Sequence, residues 1–230
     1  MGKLEGRVAL VTGASGGIGR AVALGYATEG AAVALVARRA RLLQDVAREA
    51  ERRGGRALAA PADVSDEKQV GAAVEAVMKA FGRIDVLLNN AGVLQRAAPL
   101  HKTAAEEWDR VLAVNLRGAF LVLRAVVPHM VRQRYGRVIN ISSYFQHEPQ
   151  YGAYSVTKAG INSMTRTMAA ELKGSGVLVN AFDPGWVRSG MSPGGGADPE
   201  TVVPLAVKLA AQTAERPNGE VLKVGNPEIR

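Results

Sequence analysis

Cysteine is absent from the 230 residues, which excludes disulfides and thiolate metal sites and fits a reducing compartment. With only three histidines as well, a catalytic metal is not expected. No apolar run reaches the ~18–20 residues of a membrane span, so no membrane association is expected. The opening MGKLEGRVALVTG has no charged segment followed by an apolar stretch and a cleavage site. No secretory signal is read there, and a cytoplasmic location is the default. Aromatic residues are few, 5%, and are not interleaved with basic ones as a base-stacking platform would require.

Positive charge is not scarce: the formal net charge is +8. The densest patch, Arg38 to Arg56, holds seven Arg against Asp45, Glu49 and Glu51. On a helix this reads as a solvated face, and also as a field that steers anionic ligands inward. Lacking a basic stripe or arm, the chain is not expected to bind nucleic acid.

The length suits one sizeable core, a single domain over 1–230. Apolar runs bounded by Gly or polar residues predict strands at Arg7–Thr12, Ala31–Ala37, Arg56–Pro61, Ile84–Asn89, Gly136–Ser142 and Val177–Phe182, with a short last one at Glu220–Val224. Helical patterns lie between them: Gly17–Tyr26, Arg39–Arg53, a helix capped near Ser65, a long region from Ala104 to Arg134, one through Tyr154 to about Lys173, and a last at Glu200–Gln212. Alternating strands and helices predict an α/β fold, a doubly wound and mostly parallel sheet with helices on both faces. Ligands bind such sheets beyond the carboxyl ends of the strands. The Gly-rich turn, Asp63, Asn89–Gly92, Ser142–Ser143 and Pro184–Gly185 all fall there.

Gly13, Gly17 and Gly19 sit where the first strand turns into the first helix, in Gly-Ala-Ser-Gly-Gly-Ile-Gly. Such a turn, with Ser15 and Ile18 inside it, lets backbone approach a pyrophosphate that faces a helix N-terminus. At the end of the second strand, where an acidic residue would accept from a ribose 2′-OH, the chain has Arg38 and Arg39. A guanidinium accepts nothing but pairs well with a 2′-phosphate. NADP(H) is therefore the expected dinucleotide, with Arg38 first and Ser15 assisting. The alternative is that both Arg side chains only solvate the helix start. Asp63 and Val64 are placed either to reach an adenine edge or to close a local turn.

The catalytic stretch is Ser142 to Lys158, SSYFQHEPQYGAYSVTK. Tyr154 and Lys158, four apart, share one helical face. At about 4 Å and an effective dielectric near 20, an ammonium is worth roughly 4 kcal/mol to a phenolate. That pulls a phenol from its usual ~10 toward neutrality, where a general acid/base works best. Ser142 and Ser143 end the preceding strand. Without its context, the pair is an ordinary exposed helix pair.

With TGASGGIG, NNAG, VNLRGAF, ISS, YSVTK and DPGWVRSGM read in order, the chain resembles the short-chain dehydrogenase/reductase family over nearly its whole length, and in particular 3-oxoacyl-(acyl carrier protein) reductases. The resemblance implies a single-domain Rossmann fold with a seven-stranded sheet, hydride transfer with NAD(P), and homodimers or homotetramers through the two long helices. It implies that Tyr154 is the acid/base, that Lys158 lowers its pKa and binds the nicotinamide ribose, and that Ser143 bonds the substrate carbonyl. It implies that Asn115 holds a water linking Lys158 to solvent. Asn89, Ala91 and Gly92 match the backbone-shaping, cofactor-contacting NNAG segment. Pro184, Gly185, Val187 and Ser189 match positions holding the nicotinamide amide and a nearby phosphate.

Three features depart from the pattern. Ser143 to Tyr154 is a short spacing, with Ser142 as the fallback. Ser189-Gly190 stands where the family often has Thr-Asp. The segment after Gly185 is short, with Gly194-Gly-Gly196 where relatives build a helical lid. A small flexible lid predicts an open pocket. Leu94, Gln95, Phe145, Tyr151, Trp186 and Met191 are its candidate lining, suited to a hydrophobic ketone or acyl substrate, and each is equally at home as plain packing. His147 is read as exposed. Three functions follow: an NADPH-dependent reductase of a ketone or acyl-thioester carbonyl, whose basic surface attracts an acidic carrier; an enzyme oxidising an alcohol or sugar; or a non-catalytic NADP-binding protein.

Overall fold

A computed structural model describes residues 2–225 other than 193 and 214, and every candidate site residue lies among them. Seven strands form one sheet: β1 (Val8–Thr12), β2 (Ala32–Ala37), β3 (Ala57–Pro61), β4 (Val86–Asn89), β5 (Gly136–Ile141), β6 (Val177–Asp183) and β7 (Val221–Lys223). Their order is β3-β2-β1-β4-β5-β6-β7, and every pairing is parallel. The alternation of strands and helices predicts a mostly parallel sheet. The wholly parallel one found here needs both faces covered, and its inner strands β1, β4, β5 and β6 are buried throughout for that reason.

Side chains alternate between the two faces. Ala9, Val11, Val33, Leu35, Val86, Leu88 and Ile139 point to one core, filled by α1 (Gly17–Thr28), α2 (Ala40–Arg52) and, later in the chain, α7 (Val203–Ala210). Val8, Leu10, Ala34, Val36, Leu87, Val138 and Val179 point to the other, against α3 (Glu67–Phe81) and the long helices. The first three strands wind one way from β1 and the next ones wind the other way from β4. Two neighbouring loops therefore diverge at the β1/β4 boundary, which opens a crevice above the sheet.

Four local expectations are corrected. The cap of α3 is Asp66, whose carboxylate accepts from the Lys68 and Gln69 amides. Ser65 instead donates to Asp63 through both its amide and its hydroxyl. The long helical region has three parts, α4 (Ala105–Leu112), a π turn (Ala113–Arg117) and α5 (Gly118–Gln133). Taken as one helix of 29 residues it is long and apolar enough to cross a bilayer, contrary to the expectation from run length. Half of its apolar stretch is buried within the fold, as in a core helix, with Leu121, Val122, Leu123 and Val126 packed under the sheet. The last α-helix follows α6 (Gly152–Glu171) and is shorter than its pattern, because Pro199–Val202 winds as a 3₁₀ turn before α7.

Candidate active site

The crevice at the strand ends is a cleft of about 660 Å³. One wall is the turn from β1 to α1. Thr12 Oγ1 accepts from the Asn90 and Ala91 amides at 2.9 and 3.0 Å, and Asn90 Nδ2 donates to the Thr12 carbonyl at 2.8 Å. These bonds lock the loops after β1 and β4 together. The contact is so close that only glycine fits. A Cβ at Gly13 (φ +67°) would lie 2.6 Å from Asn90 Nδ2, and one at Gly19 would lie 2.4 Å from the Gly13 carbonyl oxygen. Helix α1 has neither a side-chain cap nor an acidic residue in its first turn. Its free amides face the cleft as an anion site.

The same crowding makes a prediction. Gly19→Ala is expected to lose roughly 1–3 kcal/mol in a denaturant melt, by overpacking against backbone that cannot retreat. Gly71→Ala, inside α3 with open space around it, is expected to gain about 0.5–1 kcal/mol.

The end of the cleft beside β2 and β3 carries Arg38, Arg39, Ser15, Asp63 and Val64. Arg39, rather than Arg38, reaches the Gly-rich turn: its Nη2 and Nε donate to Ser15 Oγ at 2.9 and 3.3 Å. Arg38 turns instead to the Asp63 carboxylate, 3.7 Å away. Asp63 closes the local turn through Ser65 and lines the cleft, its other carboxylate oxygen toward Arg38.

The chemistry-bearing side chains meet at the end of β5. Ser142 is buried and donates to Asn162 Oδ1 at 2.7 Å, so its hydroxyl is spent. Ser143 Oγ accepts from the Phe145 amide at 3.1 Å. It lies beside the Tyr154 phenol and eases loss of the phenolic proton. Gln95, between the Tyr154 amide and the Gln150 carbonyl, pins the start of α6. Asn115 lies in the π turn, which rotates its side chain onto the loop after β4. Its Oδ1 accepts from the Val93 amide at 2.7 Å and its Nδ2 donates to the Val93 carbonyl at 2.8 Å.

The Tyr–Lys electrostatics differ from the expectation. Lys158 is buried and donates to the Ile141 carbonyl at 2.7 Å. Its Nζ lies 5.4 Å from the centre of the Tyr154 ring. Burial lowers its pKa to about 8, countered in part by the Asp183 carboxylate. Tyr154 is shifted up, not down, chiefly by burial, with Ser143 acting the other way and Asp183 adding to the rise. A buried ammonium seeks an acceptor, and the nearest one on offer is backbone. The phenol therefore keeps its proton at neutral pH.

The loop after β6 is compact rather than a loose lid. Val187 and Ala197 pair across it, Arg188 Nη2 binds Asp198 at 2.6 Å, and Ser192 Oγ donates to the Val187 carbonyl. Ser189 comes opposite Gly17, where an added Cβ would be 3.1 Å from its own. Met191 overhangs Gly92. Leu94, Phe145, Trp186 and Met191 line the cleft, as do Ile18, Ala91, Gly92, Pro184, Gly185, Val187 and Ser189.

Five of the expected site residues, Gly19, Asn89, Gln95, Asn115 and Tyr151, are not among those lining the cleft. Gln95 and Tyr151 are behind the wall. Gly19 is a packing glycine. Asn89 is buried and donates to the Ala119 carbonyl at 3.0 Å, supporting the loop from below. His147 is exposed. Thr12, Asn90 and Asn162 hold the site together without being singled out beforehand. Their partners are on other strands and helices, which spacing along the chain does not reveal.

The short chain dehydrogenase family model matches residues 7–199. The chain is 42% identical over 192 residues to the 3-oxoacyl-(acyl-carrier-protein) reductase FabG of Thermotoga maritima, covering 83% of this chain and 78% of that one. Among solved structures, levodione reductase superposes with a TM-score of 0.92 at 30% identity, covering 96% of each chain. The 3-ketoacyl-(acyl-carrier-protein) reductase of Brucella melitensis, complexed with NADH, does so with 0.89 at 32% identity, covering 96% and 97%.

Proposed function

The chain belongs to the short chain dehydrogenase family, and from that premise we propose that it reduces a ketone or acyl carbonyl with NADPH, Tyr154 being the proton donor. The observation that carries the reading is one shared cleft: Ser143, Tyr154 and Lys158 open into the same space as the Gly-rich turn and Arg39. The cradle fits a dinucleotide, since the uncapped start of α1 offers amide donors to a cleft that Gly13, Gly16 and Gly17 line. Arg39 and Ser15 would hold a 2′-phosphate, and Lys158 the nicotinamide ribose. When bound, the nicotinamide supplies the hydride.

The chain's own residues supply the rest. Ser143 Oγ and Tyr154 Oη present donors to the carbonyl oxygen as negative charge grows there. Tyr154 Oη then gives up its proton. A phenol that burial keeps protonated is already in the form reduction needs. Lys158 adds positive charge beside the phenolate left behind. The Asn115 side chain is engaged at both ends by Val93, so a water linking Lys158 to solvent would be held by main-chain atoms of the π turn. Val64, Ala91, Pro184, Gly185, Val187 and Ser189 complete the walls.

The NADPH preference is tested by Arg39→Ala. The Kd for NADPH is expected to rise about 10–100-fold, the worth of a charge-assisted bond, with that for NADH within about twofold. Titration of protein fluorescence reads both. Equal losses for the two dinucleotides would refute the 2′-phosphate role. Arg38→Ala, whose side chain faces Asp63, is expected to have the smaller effect.

A further inference from the structure

The site has one unusual economy. Aromatic side chains are scarce, yet Tyr144, Phe145, Tyr151 and Trp186 gather beside the carbonyl-binding pair. Phe145 is the hub: its ring centre lies 4.4 Å from that of Tyr144, 6.2 Å from Tyr151 and 6.0 Å from Trp186, the last edge-on at 89°. Tyr151 backs the cluster from the start of α6. Phe145 and Trp186 line the cleft together with Ser143 and Tyr154.

Trp186 is 49% exposed, an expensive place for an indole, and it is held rather than free. A Cβ at Gly195 would lie 3.0 Å from the indole Nε1. One at Gly196 (φ +97°) would lie 2.7 Å from the Trp186 carbonyl oxygen and 2.8 Å from Cδ1. The consecutive glycines thus do the opposite of loosening the loop. They let its backbone lie against the indole, while Phe145 meets the same ring edge-on. A fixed ring with an open face is a stacking platform.

We propose that the substrate is an aryl ketone, or the matching benzylic alcohol in reverse, whose ring packs on the Trp186–Phe145 wall while its carbonyl oxygen meets Ser143 and Tyr154. This rests on the reductase reading above. The reaction is balanced within that reading: the carbonyl carbon gains a hydride from NADPH, the oxygen gains the Tyr154 proton, and a secondary alcohol and oxidised dinucleotide result. Aromatic pairing adds to what area burial alone gives, so rings should beat saturated groups of equal size.

The test uses the full chain with phenyl methyl ketone and cyclohexyl methyl ketone, which match in carbon count. The wild type is expected to favour the phenyl compound about 3–10-fold in kcat/KM. Trp186→Leu should abolish the preference, and Trp186→Phe should restore most of it. A second readout needs no turnover: with NADP⁺ bound, phenyl methyl ketone should quench tryptophan emission saturably in the wild type. It should fail to do so in Trp186→Leu, where Trp108 remains as the reporter. Equal rates for the two ketones, or a preference that survives Trp186→Leu, overturn the aryl assignment and leave the reductase reading standing. Reduction of a 3-oxoacyl thioester but neither ketone does the same. No oxidation of bound NADPH by any of the three carbonyls overturns both.

Discussion

Tyr154→Phe is expected to lower turnover by roughly 10²–10⁴-fold, the usual worth of a positioned general acid, with NADPH affinity within about twofold. The substitution removes one oxygen and keeps the ring, whose face covers the Lys158 amine. Packing of α6 against β5 and β6 is therefore untouched, and a melt should place the variant close to the wild type. Burial holds the phenol protonated, so the reductive rate with wild type should be flat through neutral pH. Assays of NADPH oxidation beside a fluorescence titration separate the proton donor from the binding site. Loss of both together would mean that the ring, not the hydroxyl, matters.

Lys158→Met is expected to lower kcat/KM by about 10²-fold or more, through loss of the charge that favours the phenolate in the transition state. Its effect on stability should run the other way. Burial lowers the Lys158 pKa to about 8 from an ordinary 10.5. Below pH 8 the folded and unfolded chains both carry the proton, and the penalty for burying the charge is fully present. Between about 8 and 10.5 the unfolded chain binds more protons than the folded one, so stability contributed here rises with pH. The variant without dinucleotide should therefore be more stable than wild type at pH 7, by on the order of 1–3 kcal/mol. That gain should fade by pH 10.5. In the wild type the kcat/KM profile should fall above about pH 8, as the amine loses its charge. A variant that is inactive yet more stable marks a residue kept for chemistry. One that is inactive and less stable would make Lys158 a packing residue.

Much of this was readable along the chain because a parallel sheet leaves a plain imprint. Buried strands are short apolar runs, and the small or polar residues that interrupt them at Gly13, Asn89–Gly92, Ser142–Ser143 and Pro184–Gly185 mark the ligand edge. What escaped the reading depends on side-chain direction and on distant partners. Helical spacing puts Tyr154 and Lys158 on one face, but it does not say that the amine turns to the Ile141 carbonyl. Adjacent Arg38 and Arg39 leave the strand end in different directions, one to Asp63 and one to Ser15. The lock of Thr12 on Asn90 joins residues 78 apart. Three successive glycines suggest a loose lid until the indole that Gly195 and Gly196 accommodate is seen.

The most direct measurement is a single-turnover mixing of the wild type, preloaded with NADPH, against a ketone, following cofactor absorbance and the alcohol formed. The account predicts one equivalent of alcohol per NADPH lost, with Tyr154→Phe slowed at least a hundredfold though equally loaded. Bound NADPH that stays reduced before every carbonyl tried, or a Tyr154→Phe rate equal to wild type, would contradict it.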